Sequence, residues 1–75
     1  MRYLDANREE LQPPKGKFRV IGVDLKEGPP SNYHLGDFDS LGAAQSLAKQ
    51  KAGIGSPIYI YDDKAELVVR YGSWH

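Results

Sequence analysis

Leu41, Ala44, Leu47, Ala48 and Ala52 recur at helical spacing and line up on one side of "LGAAQSLAKQKA". Strand-like segments flank this stretch on both sides. That combination sets the main constraint on the fold. A sheet has two faces, and one helix covers only one of them. The other face must meet water, another part of the chain or a partner.

The helix is expected over about residues 41–52. Ser40 or Asp39 supplies the N-cap oxygen, and Gly53 suits the position just past the C-cap. Gln45, Ser46, Lys49 and Gln50 occupy the polar side. Lys51 falls inside the apolar sector, from which its long stem can reach water. A stripe made mostly of alanine lets the helix lie close to a sheet.

Before the helix, "KFRVIGVDL" alternates as a strand. Phe18 and Val20 point one way, and Arg19, Ile21 and Val23 point the other. Gly22 within it predicts a bulge or a close approach. "KEGPPS" reads as a loop, because two prolines in a row cannot donate ladder hydrogen bonds. "NYHLGDF" completes a first hairpin, with Tyr33 and Leu35 on one face.

After the helix, "PIYIYDDKAELVVRYGSW" reads as a second hairpin around a turn at Asp62, Asp63, Lys64 and Ala65. A tight register opposes Tyr61 with Glu66, Ile60 with Leu67, Tyr59 with Val68 and Ile58 with Val69. Ile58, Ile60, Leu67 and Val69 then form one aliphatic face, and Tyr59, Tyr61, Val68 and Arg70 form the other. The expected fold is α+β: a four-stranded antiparallel sheet, in the order β-β-α-β-β, with one helix packed on one face. The aliphatic face matches the alanine-rich helix. The tyrosine face is left to solvent, to the N-terminal arm or to a partner.

Residues 1–16 read as an arm ahead of a single domain over residues 17–75. "DANREEL" has the makings of one or two helical turns with Asp5 as N-cap, stopped by Pro13 and Pro14. The arm is expected to be frayed or to dock as a short helix.

Composition narrows the function classes. Ten basic residues balance ten acidic ones, six of each sign in residues 1–37 and four of each in residues 38–75. The basic footprint of a nucleic-acid binder is missing. With no cysteine, there is no disulfide and no thiolate chemistry. No apolar run suits a signal peptide or a membrane span, so the expectation is a cytoplasmic protein without membrane association.

The candidate chemistry is sparse. His34, Asp37 and Asp39 bring two carboxylates and an imidazole close in sequence, a set that can hold a metal or move a proton. Aspartates just ahead of a helix more often cap it and complement its dipole. "GIGS" follows a helix and precedes a strand, the reverse of the order that cradles phosphate. Ser31, Ser40 and Ser73 have no nucleophile-elbow context. No cofactor and no catalysis are implied.

"FRVIGVD", "GDFDSLGAAQSLA" and "PIYIYDDKAELVVRYG" together resemble small stand-alone bacterial and phage proteins with a strand-rich core around one helix. The resemblance spans about residues 17–72 and implies the fold, not an activity. Such proteins often carry glycine where Ala65 stands in the second turn. The reading that remains is a non-catalytic binding or accessory module. It would use the face of Tyr59, Tyr61, Val68 and Arg70, extended by Trp74, to meet a protein partner or to self-associate weakly. The alternatives are a weak single-stranded nucleic-acid binder and a small metal-dependent enzyme.

Overall fold

The computed structural model describes residues 11–24 and 31–73. The expected helical turns around Asp5, the "KEGPPS" loop apart from Ser31, and Trp74 and His75 lie outside the described residues. Four strands and one helix follow the expected order: β1 (Phe18–Asp24), β2 (Ser31–Phe38), α1 (Leu41–Lys51), β3 (Ile58–Tyr61) and β4 (Leu67–Tyr71). The sheet order is β2-β1-β3-β4, with every neighbouring pair antiparallel. β2 and β3 therefore run parallel on either side of β1, a relation that calls for a crossover connection. α1 supplies it and lies against the three strands β1, β2 and β3.

The helix forms as its pattern predicts. The Ser40 hydroxyl accepts a hydrogen bond from the Ala43 amide at 3.2 Å, capping the N-terminus. Ala44 and Ala48 are fully buried against Val20, Ile58 and Ile60. Leu41, Leu47 and Ala52 seal the margins of that cluster, together with Phe18, Leu35, Phe38, Val69 and Tyr71. The C-terminus departs from expectation. Ala52 is extended (φ −74°, ψ 151°) and its amide donates to the Ala48 carbonyl, so Gly53 is not a left-handed cap. The left-handed residue comes later, at Gly55 (φ +75°), inside a tight turn closed by reciprocal Gly53–Ser56 hydrogen bonds.

At Gly22 the expected close approach is made by an aromatic ring. The Tyr33 ring lies over the glycine so closely that there is no room for an added Cβ. Tyr33 opposes Gly22 across the β1–β2 ladder and covers backbone that a bare glycine would leave open.

Both edge strands are irregular. The β1–β2 register shifts between Val20 and Ile21, leaving Leu35 as an extra residue in β2. The β3–β4 register shifts between Ile60 and Tyr61, leaving Val68 as an extra residue in β4. The two central strands pair with each other without interruption. Bulges at sheet edges interrupt the flat ladder on which a foreign strand would grow.

The second bulge corrects the expected hairpin register. Tyr61 opposes Leu67, Ile60 opposes Val69, Tyr59 opposes Arg70 and Ile58 opposes Tyr71. Leu67 therefore leaves the aliphatic face and joins the tyrosine side. The turn explains the slip. The Asp62 amide donates to the Glu66 carbonyl, and the Ala65 amide donates to the Asp62 carbonyl. This closes a three-residue loop in which Ala65 takes the left-handed conformation at φ +60°. Asp62 also accepts from the Lys64 and Glu66 amides through one carboxylate oxygen. An alanine there carries a cost of roughly 1–2 kcal/mol that glycine would avoid.

Candidate functional site

Strand alternation places Tyr59 and Tyr61 opposite the helix, as the sequence predicts, but it does not leave them in water. Tyr59 is 3% exposed and Tyr61 9% exposed. Of the three occupants the sequence left open for this face (solvent, the N-terminal arm or a partner), solvent is not the one that meets these two rings. With Ile21 and Val23 they form a second apolar cluster on the far side of the sheet. Their rings stack with centroids 6.5 Å apart and planes 21° from parallel.

The cover comes in part from the end of the arm. Leu11 packs against the cluster, and Pro13 is buried. Asp63, in the β3–β4 turn, holds this segment with two groups. Its carbonyl accepts from Gln12 Nε2 at 2.8 Å, and its carboxylate accepts from the Gly16 amide at 2.8 Å. Residues 11–16 are tied to the sheet side by these contacts. Asp63 was read from sequence as a turn former, and its bonds span 47 and 51 positions of the chain. No local pattern carries a signal at that separation.

The remaining predicted site residues separate from the tyrosines. Val68 is the extra residue of the β4 bulge and is 39% exposed. Arg70 opposes Tyr59 and is exposed at the sheet edge. Trp74 falls outside the described residues. Leu67, which sequence alternation assigned to the helix side, is 52% exposed next to Val68. Leu67, Val68 and Arg70 thus form a surface strip on the edge strand β4, beside tyrosines that are already covered.

A polar cluster occupies the other end of the same face. The β2 bulge has a consequence for it. In a regular strand, residues three apart point to opposite faces. With Leu35 inserted, His34 opposes Ile21 and Asp37 opposes Arg19, so both fall on one side. Arg19 Nε and Nη2 donate to the two Asp37 oxygens at 2.8 and 2.9 Å, a forked, charge-assisted pair. His34 Nε2 lies 3.0 Å from Asp37 Oδ1. The pair is sheltered, with 16% of the Arg19 side chain and 20% of the Asp37 side chain exposed. The Arg19 hydrogen bonds, with a smaller contribution from His34, hold the Asp37 carboxyl below the usual carboxylate range.

Asp39 does not join this cluster; it pairs with Lys17. Among the described residues, no group of three or more His, Cys, Asp or Glu side chains is placed to hold a metal ion. A guanidinium on both Asp37 oxygens opposes a cation there. The Arg19 partnership was within reach of the sequence, because alternation placed Arg19 beside Ile21. The bulge that aligns His34 with Asp37 has no such signature.

Among the described residues, no helix is long and apolar enough to cross a membrane. No family model, curated protein or solved structure matches the chain.

Proposed function

We propose that this chain is a small non-catalytic binding module that meets a protein partner through the β4 strip of Leu67, Val68 and Arg70. The observation that carries the reading is the exposure of two adjacent large apolar side chains, Leu67 at 52% and Val68 at 39%. The neighbouring strand β3 buries all four of its residues. Contiguous apolar side chains in water favour an interaction surface. Arg70 adds a charge suited to the rim of a protein contact. This reading keeps Val68 and Arg70 from the sequence-based surface, replaces the two tyrosines with Leu67, and makes no use of Trp74. The lack of cysteine suits a reducing cytoplasm.

The alternatives draw less support. A base-stacking platform needs accessible rings, and Tyr59 and Tyr61 are covered. The balanced charge gives a polyanion little to hold. A metal-dependent enzyme built on His34, Asp37 and Asp39 would have to displace Arg19 and Lys17.

The test compares the wild-type chain with a Leu67→Ser, Val68→Ser variant. Both are immobilised for capture from a cell extract and both are sedimented across a concentration range. The variant is expected to unfold cooperatively like the wild type and to lose a specific captured protein or a concentration-dependent rise in mass. Retention of the same partners and the same mass by the folded variant would remove β4 as the contact surface.

A further inference from the structure

We draw no further inference here: the strongest candidate, the exposed apolar strip of Leu67 and Val68 at the β4 bulge, belongs to the surface already described, and nothing in the structure shows what covers it.

Discussion

On one side of the sheet, Val20, Ile58 and Ile60 are sealed by a helix whose cap and stripe are written into twelve consecutive residues. On the other side, Ile21, Val23, Tyr59 and Tyr61 are sealed in part by Leu11, held by polar contacts to a distant turn. The two clusters depend on different kinds of information. The first closes through local periodicity and contact with adjacent strands. The second requires the segment just ahead of β1 to lie back on the sheet. A domain of this size has only about 4–11 kcal/mol of total stability, so it cannot spare either cluster.

The largest expected effect tests whether the tyrosine side is a true core. A Tyr59→Ser, Tyr61→Ser double variant removes two buried rings at about 3 kcal/mol or more each, enough to abolish the cooperative thermal transition. A sharp transition retained near the wild-type temperature would show that this side adds little to folding.

Next comes the polar end of the same side. Asp37→Asn removes the forked, charge-assisted pair with Arg19 and is expected to cost about 2–3 kcal/mol in denaturant unfolding. The pH dependence follows from the depressed carboxyl. The Asp37 contribution is fully present above the ordinary carboxylate range and is lost as pH falls through its lower folded value. Wild type should therefore lose more stability than the variant on acidification into that range. Parallel acid profiles for the two proteins would show that the fork does not contribute.

On the helix side, Leu47 is half-buried at the margin of the cluster. Leu47→Ala should cost about 1–2 kcal/mol, below the range for fully buried leucines. Gln50→Ala, on the exposed side, should stay within about 0.5 kcal/mol. Equal effects of the two substitutions would contradict the assigned helix face.

The smallest expected loss of a native contact concerns the turn that holds the arm. Asp63→Ala removes the acceptor of the Gly16 amide in an exposed setting, at a cost of about 1 kcal/mol. Amide exchange should accelerate at residues 15–17 before it changes in β1 or β3. Uniform acceleration throughout the chain would show that residues 11–16 open only with global unfolding.

The element order, the helix cap as Ser40 or Asp39, the buried stripe of Ala44 and Ala48, and the division of β1 between two faces were legible in the sequence. All of these rest on interactions or alternations within a dozen residues, where propensity and period act directly. The two edge bulges were not legible. Each depends on how one strand fits the curvature and turn of its neighbour, and a single inserted residue changes the face of everything beyond it. The inserted Leu35 is why the alignment of His34 with Asp37 was missed, while the three-residue turn that pairs Asp62 with Glu66 is why Leu67 was assigned to the wrong side. The tyrosines show the same divide. Alternation fixed the face on which Tyr59 and Tyr61 stand, because it is a property of the strand itself. That the face is buried depends in part on the packing of Leu11, from a segment tied to Asp63 some fifty positions away, and these contacts exist only once the sheet has formed.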